Sequence, residues 1–233
     1  MHLLKQSFLC AGLITLLAIG CAKPKPSPNT KPATTSAKPA PSAATVTVDA
    51  DPGSRSLFDG KTLTGWVSTD FAGRGEVTVK DGQINLGEGY MTGVNWTGAV
   101  PKMNYEISLD AKRVEGSDFF CGLTFPVGPE FCSFIVGGWG GGTVGLSSVN
   151  GEDASSNETT TSMNFVTGRW YHIRVRVTPG KIDAWIDDEQ VVKLVTEEKN
   201  LSIRLEVEAS KPLGIATWNT VAALKNIQLK KLE

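Results

Sequence analysis

One histidine and a few carboxylates are the residues of this chain best suited to acid–base chemistry. Of the 2 histidines among 233 residues, His2 lies at the start, which leaves His172 for the rest of the chain. This excludes zinc sites that need several histidines, and any serine–histidine triad would depend on one residue. Glu106 and Asp110 lie on the same polar face of a predicted strand, where they could act together or bind a divalent cation. Strand alternation alone would also place both acids there.

Tryptophan is a second residue type with functional potential, and the chain holds six. Sugars stack their apolar faces on indole rings, so exposed tryptophans are candidates for carbohydrate binding. Trp139 is the strongest candidate, because it lies in the glycine-rich segment 137–142, where backbone can approach a ligand closely. That segment lacks the Gly-Lys-Ser/Thr ending of a phosphate loop, and a wide turn or a bulge explains it better. Trp170, expected on a polar strand face, and Trp218, undecided between core and site, are further binding candidates.

The distribution of charge excludes one class of partner. All 24 acidic residues lie after residue 45, whereas five of the 23 Lys and Arg residues precede it. The remainder of the chain therefore carries a net charge of −6. Such a body will not hold nucleic acid electrostatically, so no nucleic-acid partner is expected.

Residues 1–20 have the pattern of an export signal. Lys5 precedes an apolar run over residues 8–20, which is too short to span a bilayer but suits a signal peptide. Residues 18–21, Ala-Ile-Gly-Cys, resemble the lipobox of bacterial lipoproteins, in which the cysteine, here Cys21, carries the lipid. Ala22, in place of an acidic residue, then implies an outer-membrane location in the bacterial cell envelope. Ordinary signal cleavage nearby and an uncleaved anchor are the alternatives.

Residues 21–45 are predicted to form a disordered tether. They are rich in Pro, Ala, Ser, Thr and Lys and hold no aromatic or acidic residue, so they cannot bury enough surface to fold. The prolines favour extended segments that would lift the following domain off the membrane. The membrane is therefore an expected partner, through the lipid anchor.

The cysteines of the remaining chain are Cys121 and Cys132. Two cysteines in an exported protein suggest one disulfide, and these two flank a predicted turn over residues 126–130. Their offset is not that of directly opposed residues in a simple hairpin, so a bulge would have to bring them together. Two buried free thiols are the alternative.

Residues 46–233 are predicted to form one all-β domain. Short alternating runs bounded by Gly, Asp, Asn and Pro recur throughout, and no segment shows sustained helical spacing. Asp81-Gly82, between two such runs, is a strong hairpin signal. The alternation in residues 170–177 places His172 and Arg174 on a polar face, and later strands are expected at residues 181–187, 190–192, 203–207 and 224–229. This many strands suits an antiparallel jelly-roll sandwich.

Several of these segments resemble a known family, the 3-keto-disaccharide hydrolases, also described as 3-keto-glucoside lyase/hydratase-like. Residues 56–66, Ser-Leu-Phe-Asp-Gly-Lys-Thr-Leu-Thr-Gly-Trp, are similar to the family's opening motif. Further matches follow in the expected order at residues 81–84, 104–108, 170–171, 185–188 and 223–229. The resemblance implies a concanavalin-A-like sandwich and a carbohydrate ligand.

The activity implied by this resemblance is cleavage of a keto-sugar glycoside by hydrolysis or elimination. Elimination needs a base for the proton at carbon 2, an acid for the leaving oxygen and a donor that stabilises the enolate. Candidates for base or acid are Asp118, Glu130, Asp153 and His172, and the candidate donors are Arg169 and Arg174, although each is also explained as a solvated surface charge. No cofactor is required by the sequence, and a divalent cation is an open alternative.

Two other functions remain compatible with the sequence. The family's usual strand ends in an arginine where this chain has Pro126, and residues 214–219 lack the family's charged pair. These departures favour a non-catalytic carbohydrate-binding module. A structural module of the cell surface is the third alternative.

Overall fold

The computed structural model describes residues 53–233, which form two antiparallel sheets packed face to face. The predicted signal, the lipidation site Cys21 and the tether lie outside the described residues. Within residues 53–233, no helix is long and apolar enough to cross a membrane.

The first sheet has eight strands. In spatial order they are β13 (Glu189–Val195), β12 (Lys181–Ile186), β11 (Tyr171–Thr178), β6 (Tyr105–Gly116), β15 (Thr220–Lys231), β4 (Gln83–Leu86) and β3 (Val77–Lys80), with β1 (Ser54–Ser56) also paired to β15.

The second sheet has seven strands. Their order is β10 (Thr161–Ser162), β9 (Thr143–Ser147), β8 (Glu130–Gly138), β7 (Cys121–Val127), β14 (Gly214–Trp218), β5 (Met91–Trp96) and β2 (Trp66–Ser68). Neighbouring strands are antiparallel throughout, which confirms the predicted jelly-roll sandwich.

The core lies between the two sheets and follows from strand alternation. In β6, Tyr105, Ile107 and Leu109 are fully buried, while the residues between them are partly exposed. The predicted alternation in β11 is confirmed in the same way, with Ile173 buried and His172 exposed. Successive strand residues point to opposite faces, so each sheet offers one face to the core and one outward.

The predicted hairpin at Asp81-Gly82 is confirmed by backbone geometry. Both residues have positive φ, 56° and 75°, as a type I′ turn requires, and they join β3 to β4. The turn between β12 and β13 lies at Asp187-Asp188, one residue earlier than expected.

The strand expected at residues 203–207 is wrong. A 3-10 helix spans Leu205–Ser210 instead, and it packs against β14 and β5. Leu205 is 85% exposed and Val207 is 8% exposed, so their spacing of two did not place both on a buried face.

The predicted disulfide is also wrong, because Cys121 and Cys132 are free. They lie on paired strands, but Cys121 is opposite Val136, and Cys132 is opposite Phe125. The four-residue offset separates the two cysteines by about 13 Å along the strand, far beyond the reach of a disulfide. Burial raises the pKa of each thiol to about 12, so both stay protonated.

Candidate functional site

A cleft of about 230 Å³ lies on the outward face of the second sheet. On this face, one row of residues across five adjacent strands carries mainly small side chains. The row consists of Gly93, Ala216, Gly122, Ile135 and Gly145, each paired with the next. The glycines of this row are covered by the side chains of Phe71 and Phe119 and by the backbone of Ala154 and Thr159, and Ile135 lines the cleft itself.

Aromatic side chains line one end of this cleft. Phe119, Trp139 and Trp218 all border it, and Trp139 is 43% exposed. Tyr90 packs on Trp218 with 4.3 Å between the ring centroids, which holds that indole in place. The exposed ring of Trp139 is therefore available for stacking on an apolar ligand face.

Asp118 brings a carboxylate to the same end. Its Oδ1 accepts a hydrogen bond from the Phe119 backbone N–H at 2.7 Å, and its Oδ2 accepts a long one from Gly140 at 3.4 Å. The backbone N–H of Asp118 donates to Thr220 Oγ1 at 3.1 Å. The carboxylate is thus fixed in position while one of its oxygens is only weakly engaged.

A charged cluster borders the cleft beside the 3-10 helix. Arg204 donates to Asp153 at 2.7 Å and to Glu206 at 2.8 Å. The hydrogen bond that Arg204 donates to Glu206 is the main cause that raises the Arg204 pKa, and the same bond lowers the Glu206 pKa. Burial alone would raise the Asp153 pKa, but hydrogen bonds from Ser155 and Arg204 outweigh it and lower that pKa. All three groups are ionised at neutral pH, so the guanidinium compensates one carboxylate and one negative charge is left in the cluster.

Arg113 ties together the two loops that carry Asp118 and Trp139. Its side chain is buried over the Phe120 ring, and Nη2 donates to the backbone carbonyls of Asp118 at 3.1 Å, Gly137 at 3.1 Å and Gly141 at 2.9 Å. A Cβ at Gly137 would lie 2.6 Å from Nη2, and Gly137 has φ +80°. The glycine-rich segment 137–142 therefore packs closely against this guanidinium, and it also forms the predicted wide turn.

Two serines form the other end of the cleft. Ser133 and Ser147 are paired residues of β8 and β9, and both line the cleft. Ser133 Oγ lies 2.8 Å from Thr124 Oγ1, and both are buried. Ser147 is 1% exposed, and its Oγ has no hydrogen-bond partner among residues 53–233.

The cleft brings together part of the sequence-predicted set. Asp118, Trp139 and Trp218 line it, and Asp153 borders it through Arg204. Glu130 is exposed at the start of β8, next to the turn at Gly128-Pro129 and away from the lining residues.

The other predicted site residues lie outside the cleft, on the outward face of the first sheet or at its edge. Asp110 Oδ1 lies 2.8 Å from His172 Nδ1, Glu106 pairs with Arg176 at 2.8 Å and with Arg174 at 3.5 Å, and Arg169 pairs with Asp187 at 2.8 Å. The Nζ atoms of Lys112 and Lys225 lie 4.6 and 4.3 Å from the centroid of the Trp170 ring.

A metal site is not suggested by the described residues. Within residues 53–233, no three or more His, Cys, Asp or Glu side chains are close enough together to hold an ion.

Sequence reasoning missed Arg204, Glu206, Ser133 and Ser147 as cleft residues. Arg204 and Glu206 alternate with apolar residues and so resembled the solvated side of a strand. The two serines belong to no motif that the sequence shows.

The family model for the 3-keto-alpha-glucoside-1,2-lyase-like domain matches residues 53–230, which includes every residue of the cleft. The chain belongs to this family. The match covers the whole sandwich and confirms the resemblance seen in the sequence. No curated protein sequence matches the chain.

Solved structures similar to this domain share its jelly-roll fold. A Crh5 transglycosylase in complex with NAG has a TM-score of 0.56 at 12% identity, covering 78% of this chain and 85% of that chain. A galectin-like protein from Bacillus subtilis has a TM-score of 0.53 at 9% identity, covering 72% and 90%. The β-glucanase of Bacillus licheniformis has a TM-score of 0.51 at 11% identity, covering 78% and 99%. At these identities the likeness establishes the fold alone.

Proposed function

We propose that this domain binds a glycoside in the cleft of the second sheet and cleaves a 3-keto-glucoside there. The observation that carries the proposal is the juxtaposition of the Asp118 carboxylate with the exposed Trp139 ring at one end of an open cleft. Stacking on the indole would orient a sugar ring while the carboxylate reaches its edge. Membership in a lyase-like family supports the same reading.

The chemistry we propose is an elimination. A ketone at carbon 3 makes the proton at carbon 2 acidic, and the Asp118 carboxylate accepts that proton as general base. The electron pair left at carbon 2 forms the double bond to carbon 1 as the bond from carbon 1 to the glycosidic oxygen breaks. That oxygen leaves with a proton from solvent or from the protein, which gives the unsaturated keto-sugar and the free alcohol. Hydrolysis of the glycoside would follow if water then adds to this double bond.

The elimination is tested with a matched pair of isosteric variants. Asp118→Asn keeps an oxygen that can accept from the Phe119 N–H but removes the base, and we expect the rate on a methyl 3-keto-α-glucoside to fall at least 100-fold. Asp187→Asn is the control, because Asp187 pairs with Arg169 at the first sheet, and Asn tolerates its φ of 53°. Asp187→Asn should keep the full rate. Equal rates for Asp118→Asn and the unchanged protein would refute Asp118 as the base.

A non-catalytic binding module is the second candidate function, and the charged cluster favours it. Glu206 is the other carboxylate that lines the cleft, and its lowered pKa prevents it from acting as the acid for a leaving oxygen. Arg204 is engaged with Asp153 and Glu206 and is not free to stabilise an enolate. Under this alternative, calorimetry detects sugar binding, and no product forms from any keto-glycoside.

We also propose that the domain is displayed on the bacterial envelope by lipid at Cys21. Support comes from the sequence of residues 18–21 and the tether that follows. Metabolic labelling with a radioactive fatty acid should mark the unchanged protein and not Cys21→Ser. Labelling of both would disprove lipidation at this cysteine.

A further inference from the structure

The hydroxyl of Ser147 is the feature of the cleft that the proposed chemistry leaves unused. Buried hydroxyl groups in folded proteins are nearly always hydrogen-bonded, because an unpaired one costs folding free energy. Ser147 is 1% exposed and has no partner for its Oγ within residues 53–233, yet it lines the cleft. Its neighbour Ser133 is already paired with Thr124, so the unused hydrogen-bonding capacity is concentrated at Ser147.

Ser147 lies at the end of the cleft opposite Asp118. Asp118 Oδ1 lies 3.8 Å from the position that a Cβ at Gly138, the last residue of β8, would occupy. Ser147 lies on β9 and pairs with Ser133, which also belongs to β8. The regular part of β8 from Ser133 to Val136 alone spans about 10 Å, and Gly138 lies beyond the register shift that follows it. One pyranose ring held at Asp118 and Trp139 therefore cannot also reach Ser147. The group that reaches Ser147 is the one attached through the glycosidic oxygen.

We propose that Ser147 selects the leaving group, by a hydrogen bond between its Oγ and an oxygen of the second unit of the glycoside. This inference rests on the proposed function, and it specifies that function further. A sugar or another polyol satisfies the serine hydroxyl, whereas a hydrocarbon group of the same size would bury it without a partner. A site of this kind rejects a ligand that lacks the matching oxygen. Ser147 is thus a specificity-determining residue remote from the reacting bond.

The test compares two ligands that differ in the hydroxyls of the leaving group. One is an α-linked disaccharide of 3-keto-glucose and glucose, and the other is cyclohexyl 3-keto-α-glucoside. Both are titrated calorimetrically against the full chain carrying Asp118→Asn, which prevents turnover, with and without Ser147→Ala. We expect Ser147→Ala to raise the Kd of the disaccharide about fivefold to tenfold, the loss of one neutral hydrogen bond. The Kd of the cyclohexyl glycoside should not change.

Thermal unfolding separates this role from a structural one. Ser147→Ala removes an unpaired buried hydroxyl, so its Tm should equal or exceed that of the parent. The matched control is Thr217→Val, because Thr217 is also buried but donates to the Thr92 carbonyl at 3.3 Å. Thr217 lies on the opposite side of β14 from Trp218. Thr217→Val should lower the Tm and keep both Kd values.

The outcomes distinguish this inference from the function on which it rests. If the parent chain binds neither ligand, the proposed function fails, and the role of Ser147 fails with it. If the parent binds the disaccharide and Ser147→Ala binds it equally well, the leaving-group assignment alone is overturned. Equal weakening of both ligands by Ser147→Ala would also overturn it, because such a change reports general distortion of the cleft.

Discussion

The outward faces of the two sheets are built on opposite principles. On the first sheet, long charged side chains cover the strands and pair with one another, as Glu106 does with Arg174 and Arg176. On the second sheet, small residues such as Gly122 and Ala216 are covered by apolar side chains that include Phe71 and Phe119, and an open cleft remains beside Phe119 and Val207. The first face is complete without a ligand, and the second has both space and an unpaired hydroxyl.

This difference shows where function lies in such a sandwich. The first face holds the residues that attract attention in a sequence, including the lone histidine of the domain, yet each is satisfied by a neighbour. His172 and Asp110 contact each other, and Asn226 donates to the second oxygen of Asp110 at 2.7 Å. The binding surface is better marked by the open cleft and by the missing partner of the Ser147 hydroxyl.

Replacing Arg113 is expected to change stability and sugar binding more than any replacement on the first face. Arg113→Met removes three hydrogen bonds from a buried cation to the carbonyls of the cleft loops. Hydrogen bonds to charged groups each contribute about 1.5–3 kcal/mol, so we expect the free energy of unfolding to fall by about 3 kcal/mol or more. Asp118 and Trp139 should lose their positions, and sugar binding with them. Urea denaturation and calorimetry measure the two effects.

The control for this change is Arg176→Met on the first face. Arg176 is 39% exposed and bonded to Glu106, so its loss should cost less than about 1 kcal/mol. Unchanged sugar affinity in Arg113→Met would show that the two loops hold their shape without the guanidinium, and the comparison of faces would lose its main support.

A middle-sized effect is expected when one tryptophan is removed from each face. Trp139→Ala removes the exposed ring of the cleft, and we expect the Kd for a bound sugar to rise about tenfold, which corresponds to about 1.4 kcal/mol. Trp185→Ala removes a ring that lies 4.2 Å from the Arg174 guanidinium on the first face, and it should leave the Kd unchanged. The reverse result in calorimetry would move the binding surface to the first sheet.

The smallest effect concerns pH and the first face alone. Burial would raise the Asp110 pKa, but hydrogen bonds from His172 and Asn226 outweigh it and hold that pKa below the ordinary value of 3.8. The stabilisation by ionised Asp110 is therefore present above about pH 4 and is lost as the pH falls through the folded-state pKa. The unchanged protein should lose stability as the pH falls from about 5 to about 3. We expect that loss to be smaller in Asp110→Asn, by less than about 1 kcal/mol. Urea unfolding at both pH values measures it.

Two results would contradict this account of Asp110. An identical pH dependence in Asp110→Asn would show that the carboxylate does not contribute through its titration. A change in sugar affinity in the same variant would connect the first face to binding.

The sequence predicted the fold better than the site, for a physical reason. The alternation of apolar and polar residues follows directly from the burial of one strand face, so it predicts β6 and β11. The Asp81-Gly82 pair predicts the hairpin between β3 and β4. The cleft depends instead on which distant segments become neighbours, and the approach of residues 204–207 to Ile135 and Ser147 leaves no trace in local sequence. Asp118, Trp139 and Trp218 were found because aromatic and acidic side chains are candidates anywhere.

Local irregularities account for the remaining errors. The register of β8 shifts between Val136 and Gly138, so Gly137 faces Arg113 where simple alternation would turn it outward. The segment before Lys211 forms a 3-10 helix that packs against β14, and a Cβ at Gly214 would lie 2.5 Å from the Ser210 carbonyl oxygen. Neither a bulge nor a close approach of backbone follows from the spacing of apolar residues.

The position of β15 governs when the domain can fold. This strand, Thr220–Lys231, lies in the interior of the first sheet and pairs with β6, β4 and β1. Synthesis delivers a chain from its amino terminus, so β6 and β4 have unpaired edges until residues more than one hundred positions later have emerged. Such edges invite pairing with other chains in the interval. A protein of this topology therefore gains from a chaperone that holds the nascent chain open until its final strand arrives.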